Sequence, residues 1–515
     1  MNKLVKVFRT LVVLAVAGIG STAAFAQRYC NPLPMPIGPG GNASGDVSVM
    51  EEGGKYYMCC SGGGMWVSDD LLNWEHRKVD LNFPVAPDIV KYNGKFYVTG
   101  NSDHVFCASD PLGPYTDLGV FKNTGPIENG WLGGFDCKIF VDDDNQPYLF
   151  WPGRGISGIY GVKLDKNDLT KFDGVPTHLF GFNPMHVWEC YGEANEYPMV
   201  AWIEGPWVIK RNGIYYLEYS ASGTQWKTYA EGYYTATSPL GPYTYAANNP
   251  LLRKTEGLVT GTAHGSIVKM AGKDEWWHFY TIVLGSPGGR RIGMDKVTFD
   301  SAGLMYCTVT DTPQPAPGTV AKEGAPESIP VSIRKVPGSD ALSKWSSQKD
   351  GYPVSFAVDN FSETAWMPLD DDKRPYIMVD LGPATRFDVV QLYNVDAVRI
   401  LFTGARRGFG FGAPGGAAPA LPVYKYKVDV SMDGETFTTV LDKTHNTVSK
   451  DTIFEEFKPT ECRFVRLTVT EWPEGPLGII DLTFFGVPSR YLLPQVASPV
   501  FTDLPHDGPQ FQRAR

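Results

Sequence analysis

The chain has 515 residues, enough for two or three domains, and a formal net charge of −10, which argues against nucleic acid or an anionic membrane as a partner. Its 56 glycines, 40 prolines and 13% aromatic residues, with few stretches of helical period, favour an all-β protein. The eight cysteines form no CxxC pair and have no metal-ligand spacing, so we expect buried free thiols in a core large enough to need no disulfides.

The first 26 residues have the pattern of a secretory signal peptide. Lys3, Lys6 and Arg9 precede a short apolar run, and Ala24-Phe25-Ala26 forms a small-residue cleavage site before Gln27. The run is too short to span a bilayer, and no later segment approaches the roughly 20 apolar residues that a membrane span needs. We therefore expect an exported protein, periplasmic or secreted, without a membrane span.

Residues 27–312 repeat one design five times. A polar residue opens a strand, a Gly, Asn or Asp turn follows, and an aromatic pair opens the return strand; the five openers are Asp46, Asp88, Asp136, Glu204 and His264. The distance from opener to first aromatic residue is 10, 8, 12, 11 and 12 residues, and the openers are 42, 48, 68 and 60 residues apart. Asn212-Gly213 between alternating runs is a strong hairpin signal. This pattern predicts a five-bladed β-propeller.

If each opener begins the innermost strand of its blade, three Asp, one Glu and one His point at the central axis. The sequence therefore predicts a cluster of carboxylates in a confined site. A single such Asp is more often a turn or cap residue at a strand end. Three acids at equivalent positions favour function.

After Cys307 the composition of the sequence changes. Residues 313–328 are rich in Pro, Gly and Ala and predict a linker or an extended strap between domains. Short alternating strands with an Asp433-Gly434 turn then predict a β-sandwich over residues 329–487. Within it, the Gly/Ala-rich residues 403–422 are predicted to form a mobile surface loop, and residues 488–515 form a tail without a strong pattern.

Five motifs occur in one order in the first domain: the early Asp46, APD at 86–88, FDCKIFVDDDNQPYLFW at 135–151, EGPWVIKRNGIYYLEYS at 204–220 and AHGSIV at 263–268. By these motifs, residues 28–312 resemble glycoside hydrolase family 43, the five-bladed arabinanase, xylosidase and arabinofuranosidase propellers. GYPVSFAVDNFSETAW at 351–366, YIMVDLG at 376–382, VSMDGETFTTV at 430–440 and the closing strands at 464–486 resemble the discoidin-like, coagulation-factor C-terminal type of domain.

The first resemblance implies roles for three acids. Asp46 would be the general base, Glu204 the general acid, and Asp136 the residue that raises the pKa of the acid and orients it. Inverting hydrolysis needs one protonated and one ionised carboxyl, ~6.5–9.5 Å apart. A third carboxylate near Glu204 would disfavour a second negative charge and keep Glu204 protonated.

Other site residues follow from the same resemblances. Asp88 is predicted either to contact the substrate or its neighbouring residues, or to hydrogen-bond to the backbone. Arg291 is predicted to contact substrate, with the adjacent Arg290 as the alternative. His264 is predicted to lie at the axis beside a bound calcium ion or its waters. Trp66, Trp131 and Trp207 are candidates for stacking on sugar faces, although most propeller tryptophans pack between strands.

The second domain has a predicted calcium loop of its own. Asp359, Thr364 and Asp481 match the calcium loop and the closing acidic residue of discoidin-like modules, and Ca²⁺ prefers such oxygen ligands. The ion would be structural. The domain is predicted either to bind glycan as a carbohydrate-binding module or only to brace the propeller.

The sequence thus predicts an inverting glycoside hydrolase that removes arabinofuranosyl, xylosyl or galactosyl units from plant cell-wall polysaccharides. The alternative is a non-catalytic glycan-binding propeller. A retaining fructan-cleaving propeller is disfavoured, since it would carry Asn-Asp-Pro near the start and Arg-Asp-Pro in the third blade, and neither is present.

Overall fold

The protein has two β-rich domains. The computed structural model describes residues 27–38, 43–122, 135–321, 324, 326–335, 343–382, 389–404 and 421–492. The predicted signal peptide, nearly all of the Gly/Ala-rich insertion and most of the C-terminal tail lie outside these residues. Within them, no helix is both long and apolar enough to cross a bilayer. All eight cysteines are buried with free thiols, which confirms that prediction.

The first domain contains five antiparallel sheets in chain order. The first is formed by β2 (Ser48–Glu52), β3 (Lys55–Cys59), β4 (Met65–Ser68) and β5 (Trp74–Arg77). The second is formed by β6 (Asp88–Tyr92), β7 (Lys95–Gly100), β8 (Ser102–Ala108) and β9 (Thr116–Val120). The third is formed by β10 (Lys138–Val141), β11 (Pro147–Pro152), β12 (Ile159–Asp165), β13 (Asp168–Phe172) and β14 (Thr177–Phe180).

Two further sheets complete this domain. The fourth is formed by β15 (Glu204–Arg211), β16 (Ile214–Ala221), β17 (Ala230–Ala236) and β18 (Thr244–Tyr245). The fifth is formed by β19 (Ala263–Lys269), β20 (Trp276–Val283), β21 (Arg290–Phe299) and β22 (Met305–Cys307). Short helical turns lie between strands at Gly155–Ser157, Val187–Glu189 and α1 (Gly285–Gly288).

The five sheets close into a propeller. Five buried apolar clusters each join two neighbouring sheets, and one of them joins the first sheet to the fifth through residues such as Val49, Trp74 and Phe279. The predicted Asn212-Gly213 hairpin turn has positive φ at both residues (51° and 79°), as a type I′ turn requires. The prediction of five blades is confirmed.

One left-handed residue stands at the opening of each blade. Asp46, Ala86, Asp136, Gly205 and His264 have φ between 42° and 59°. Each lies two residues before the point where regular pairing of the innermost strand begins. The five residues therefore hold equivalent positions around the axis, and the backbone twist there sets the direction of their side chains.

The residues two positions further on form a second layer, the support ring: Ser48, Asp88, Lys138, Trp207 and Ser266. Asp88 accepts hydrogen bonds from Ser48 Oγ (2.9 Å) and Lys138 Nζ (2.5 Å), and Lys138 Nζ lies 3.1 Å from the centre of a Trp207 ring. Ser266 Oγ accepts the backbone N–H of Val49 at 3.0 Å, which closes the ring between the fifth and first blades. These contacts tie the inner strands together beneath the axis-facing residues.

The second domain is the predicted β-sandwich. One sheet has the order β24-β32-β27-β30, with β24 (Ile329–Pro330), β27 (Val390–Phe402), β30 (Thr452–Cys462) and β32 (Ile479–Leu492). The other has the order β25-β26-β31-β28-β29, with β25 (Lys344–Trp345), β26 (Tyr376–Asp380), β28 (Lys425–Ser431), β29 (Thr438–Asp442) and β31 (Phe464–Glu471). A short 3-10 helix, Val354–Ala357, joins a buried apolar core shared by both sheets.

The two domains share buried contacts. Ala365, Leu401 and Ile480 of the sandwich lie in the same apolar cluster as residues of the fourth and fifth blades. Arg399, 1% exposed, pairs with Asp481 within the sandwich and donates across the interface to the backbone carbonyls of Asn31 (3.0 Å) and Asp311 (2.8 Å).

Residues 313–328, predicted as a linker, include a paired strand. There β23 (Gln314–Pro315) runs antiparallel to β1 (Arg28–Tyr29). Arg28 in turn pairs with Glu456 and Asp396 of the sandwich. The strap therefore lies against the segment that precedes the first blade.

Candidate active site

Three acids and a histidine meet at the axis of the propeller. His264 Nδ1 lies 3.3 Å from Asp46 Oδ1 and 4.0 Å from Asp136 Oδ2, and donor atoms of Asp136, Glu204 and His264 all lie within 4.8 Å of one another. Asp46, Asp136 and Glu204 are each less than a tenth exposed. The structure thus brings together the three predicted catalytic acids and the predicted axial histidine.

Asp46 is held as a carboxylate. Arg290 donates to both of its oxygens, Nη1 to Oδ1 at 2.7 Å and Nη2 to Oδ2 at 2.8 Å, and Ser61 Oγ donates to Oδ2 at 2.5 Å. Burial alone would raise the pKa of Asp46, but the charges of Arg290 and His264 and these hydrogen bonds outweigh it, so the pKa lies below its ordinary value. Asp46 is therefore ionised at neutral pH and able to accept a proton.

Glu204 has the opposite environment. Burial is the largest cause, and the charge of Asp136 adds to it, so that the pKa of Glu204 is raised to about 7. Tyr229 Oη donates a hydrogen bond to Glu204 Oε1 at 2.5 Å, which fixes the carboxyl and opposes part of this rise. Glu204 can therefore hold a proton near neutral pH and give it up to a leaving group.

The third acid, Asp136, is hydrogen-bonded to the backbone next to Glu204. Its Oδ2 accepts the backbone N–H of Gly205 at 3.1 Å, the residue directly after the acid, and its own N–H donates to Asn101 Oδ1 at 2.6 Å. Burial raises the pKa of Asp136 to about 6, and the charge of His264 acts in the opposite direction. The carboxyl is placed to influence Glu204 by charge and by holding the backbone that carries it.

His264 packs directly over Gly205. A Cβ on Gly205 would lie 2.8 Å from His264 Cδ2, so only glycine leaves room for the ring at this left-handed position. Burial lowers the pKa of His264, but the charges of Asp136, Asp46 and Glu204 raise it more, so the net direction is upward. The Thr281 hydroxyl accepts the N–H of Asp46 and donates to the carbonyl of His264, which joins the two blade openings.

The structure corrects the choice of arginine. Arg290 is the one that reaches Asp46, whereas Arg291 donates to Asp451 Oδ2 (2.9 Å) and Thr452 Oγ1 (3.2 Å) of the sandwich. Successive side chains of a strand point to opposite sides, so one of two adjacent arginines faces the axis and the other faces the second domain. Arg291 is an interface residue.

For Asp88 and Trp207 the structure favours the second of the two predicted roles, backbone hydrogen bonding for Asp88 and packing between blades for Trp207. Both belong to the support ring, with the Asp88 oxygens taken by Ser48, Lys138 and the backbone N–H of Ile139. Trp207 is 8% exposed and donates its indole N–H to the carbonyl of Ile267 at 3.2 Å. Their side chains pack between blades instead of facing a substrate.

Of the other tryptophans, Trp66 is fully buried and donates to Pro36, and Trp131 lies outside the described residues. The partly exposed aromatic residues beside the acids are different ones. Phe135 directly precedes Asp136 in the sequence, and Trp202 lies two residues before Glu204. Their rings make an edge-to-face pair with ring centres 5.7 Å apart. These rings are better placed than Trp66 or Trp207 to contact a sugar.

Tyr229 was not among the predicted site residues. It lies in the loop before β17, outside the repeated opener pattern, so its spacing gives no signal.

The predicted calcium residues of the second domain already have partners. Thr364 Oγ1 donates to Asp359 Oδ2 at 2.8 Å, and Asp481 pairs with Arg399. Arg399 already neutralises Asp481, which weakens it as a cation ligand.

A propeller with a low-pKa aspartate and a high-pKa glutamate at its axis defines a glycosidase-type site. The chain belongs to glycosyl hydrolases family 43, whose family model matches residues 34–305, more than half of its length. It is a glycoside hydrolase. The family model of the F5/8 type C domain matches residues 412–480, in the second domain.

Named relatives are similar to part of the chain. The chain is 29% identical to a beta-D-galactofuranosidase of Aspergillus niger over 263 residues, 46% of this chain and 71% of the relative. It is 27% identical to a beta-xylosidase of Xylanibacter ruminicola over 238 residues, 42% of this chain and 66% of the relative. A solved thermostable family-43 glycoside hydrolase is 26% identical, with a TM-score of 0.47, and the match covers 57% of this chain and 100% of that one.

Proposed function

We propose that the protein hydrolyses glycosides with inversion, with Asp46 as general base and Glu204 as general acid. The observation that carries this proposal is the contrast between the two carboxyls: Arg290 lowers the pKa of Asp46, while burial and Asp136 raise that of Glu204 to about 7. Glycoside hydrolysis by a carboxyl pair needs one protonated and one ionised group in the same site. The assignment of Asp46 as a base that activates water, and so of inversion, rests on the likeness to family 43.

The reaction proceeds in one displacement. Glu204 gives its proton to the glycosidic oxygen as the bond to the anomeric carbon breaks. A water on the opposite face attacks that carbon and passes a proton to the Asp46 carboxylate. Asp136 and Tyr229 keep Glu204 oriented through Gly205 N–H and through the hydrogen bond to Oε1.

The substrate is an arabinofuranosyl, xylosyl or galactosyl unit on a plant cell-wall polysaccharide. The galactofuranosidase and xylosidase names of the two relatives support a furanose or pentose unit. Phe135 and Trp202 offer partly exposed aromatic edges and faces for contact with the sugar. Export to the periplasm or the medium, expected from residues 1–26, would bring the enzyme to such polymers.

The test is release of sugar from aryl glycosides and from arabinan, arabinoxylan and arabinogalactan. Glu204→Gln keeps the shape of the acid but removes its proton, so kcat should fall by about 10²–10⁴-fold. Glu193→Gln, on the exposed loop before the acid, is the matched control and should keep wild-type turnover. No turnover by wild type on any substrate, with retention on a glycan column, would establish the non-catalytic alternative.

Calcium remains a prediction at both sites. At the axis, Asp136, Glu204 and His264 are spaced closely enough to hold a cation, but Ca²⁺ takes six to eight oxygen ligands and the two carboxyls are already assigned to the reaction. No step of the mechanism passes through an ion. Dialysis against EGTA should lower the melting temperature or the activity, and Ca²⁺ should restore it, if calcium is bound.

A further inference from the structure

A second cluster of two glutamates and a histidine lies away from the axis, between the fourth and fifth blades. Glu218 lies on β16 and Glu231 on the neighbouring β17, while His278 lies on β20 of the next blade. His278 Nε2 is 3.2 Å from Glu231 Oε1 and 3.8 Å from Glu218 Oε2. One donor atom from each residue lies within 4.8 Å of the other two.

This cluster is fully buried and its polar atoms lack partners. All three side chains are 0% exposed. None of the four carboxylate oxygens and neither imidazole nitrogen has a hydrogen-bond partner with acceptable geometry among the described residues. Burying a carboxylate without compensation is one of the most costly arrangements in a protein interior, so two beside each other require either a bound cation or a proton on one of them.

We propose that Glu218, Glu231 and His278 bind a structural divalent transition-metal ion of the Zn²⁺ class. Two carboxylates balance a divalent charge, and the neutral imidazole supplies a nitrogen ligand without adding charge. The mixed nitrogen and oxygen set favours Zn²⁺ over Ca²⁺ or Mg²⁺, which take oxygen ligands.

The spacing of the donors fits a single ion. Ligands about 2.0–2.2 Å from a tetrahedral zinc lie roughly 3.3–3.6 Å from each other. The measured separations from His278 Nε2, 3.2 and 3.8 Å, lie on either side of this range. A second oxygen of one carboxylate, or a water, completes the four ligands.

The ion would connect two blades beneath the catalytic acid. Ser220, two residues after Glu218, accepts the backbone N–H of His264 at 2.8 Å, and Tyr229, two residues before Glu231, donates to Glu204. The strand that carries Glu218 therefore also carries a residue that holds the axial histidine, and the loop leading into the strand of Glu231 carries the tyrosine that holds the acid. The ion cross-links the fourth blade to the fifth at this point.

The competing explanation is a shared proton. Without an ion, one carboxyl must be protonated, and burial together with the charge of Glu231 does raise the pKa of Glu218 well above its ordinary value. The two explanations differ in whether a metal is present, which can be measured directly.

The experiment is elemental analysis of the full chain, expressed in zinc-supplemented medium and purified without a metal-affinity column. We expect about one Zn²⁺ per chain in wild type and less than one fifth of that in Glu231→Gln and His278→Gln. His264→Gln, the matched control at the axis, should keep this ion. Circular dichroism checks that each variant is folded.

Crystals of wild type give a test that needs no variant. An anomalous-scattering peak at the zinc edge between Glu218, Glu231 and His278 is the expected result. The proposal is overturned if wild type carries less than a tenth of an equivalent of metal, if the folded Glu231→Gln variant keeps its zinc, or if the peak lies elsewhere.

Discussion

At the scale of single residues, the function depends on how two carboxyls are surrounded. Asp46 and Glu204 are both buried, and burial raises the pKa of each. The difference between them comes from neighbours: Arg290 and its two hydrogen bonds for Asp46, and the charge of Asp136 for Glu204. These neighbours should therefore set the two limbs of the pH–rate profile.

Replacing Arg290 tests the base. Arg290→Gln removes the cation that stabilises the Asp46 carboxylate, so the pKa of Asp46 should rise by about 1–3 units. Because the base must be ionised, the acid limb of kcat/KM should move to higher pH by the same amount. Arg291→Gln, which loses contacts to the sandwich instead, is the control and should leave this limb in place. An unmoved acid limb in Arg290→Gln would count against Asp46 as the base.

Two substitutions should move the pKa of Glu204 in opposite directions. Tyr229→Phe removes a hydrogen bond that lowers this pKa, so the basic limb of the profile should move to higher pH, by less than about one unit. Asp136→Asn removes a charge that raises it, so the basic limb should move to lower pH. Shifts in the same direction would show that Glu204 is not the group that titrates on this limb.

At the scale of the strand, the equivalent positions are set by backbone geometry and only partly by residue type. The sequence pattern predicted equivalent positions for Asp46, Asp136 and His264, and the structure has them there because a polar residue occupies the left-handed position in these three blades. In the second blade that position is Ala86, and Asp88 belongs to the support ring. The spacing to the first aromatic residue contained the signal: it is 8 from Asp88 but 10 from Ala86, as it is from Asp46.

In the fourth blade, the catalytic acid Glu204 lies one residue before the left-handed position, for a physical reason. Gly205, not Glu204, holds the left-handed position of the fourth blade, and its hydrogen atom leaves room for the His264 ring. Packing of one blade against the next decides this, and it cannot be derived from the hairpin pattern alone. The same limit explains Trp207, whose place in the support ring depends on Lys138 of the previous blade.

Gly205→Ala should damage the site through His264. The new Cβ would lie 2.8 Å from the His264 ring, so the histidine must move. Glu204, which directly precedes Gly205, would move as well. A displacement of about 1 Å can cost on the order of 100-fold in kcat/KM. Gly213→Ala is the control: it also has positive φ (79°), but a Cβ there would meet nothing within 4 Å, so only stability should fall. Equal activity in the two variants would contradict the packing argument.

The support ring predicts a stability effect without a binding effect. Asp88→Asn leaves Lys138 buried without its counter-charge, which should destabilise the fold by about 3–5 kcal/mol. The melting temperature should fall by several degrees, while KM stays within about twofold of wild type. Asp69→Asn, in the exposed pair with Lys55, should leave the melting temperature unchanged. A large rise in KM for Asp88→Asn would restore the original prediction that Asp88 contacts substrate.

At the scale of the whole molecule, the propeller and the sandwich are joined by a shared core. Sequence patterning predicted both folds, because alternating strands and turn residues are local signals. It did not predict how the domains meet, since Arg399 reaches carbonyl oxygens of Asn31 and Asp311 that no local pattern connects to it. These contacts support the bracing role of the second domain, whose predicted glycan binding stays a prediction.

The central claim is that this propeller inverts the configuration of the sugar it releases. The most direct measurement is proton NMR of the first sugar formed from the preferred aryl glycoside, recorded before the product mutarotates. A single-displacement mechanism with Asp46 as base predicts that the anomer opposite to that of the substrate appears first, and that Glu204→Gln slows its appearance. First release of the anomer with retained configuration would contradict the account, because it would require a carboxylate to attack the sugar as a nucleophile.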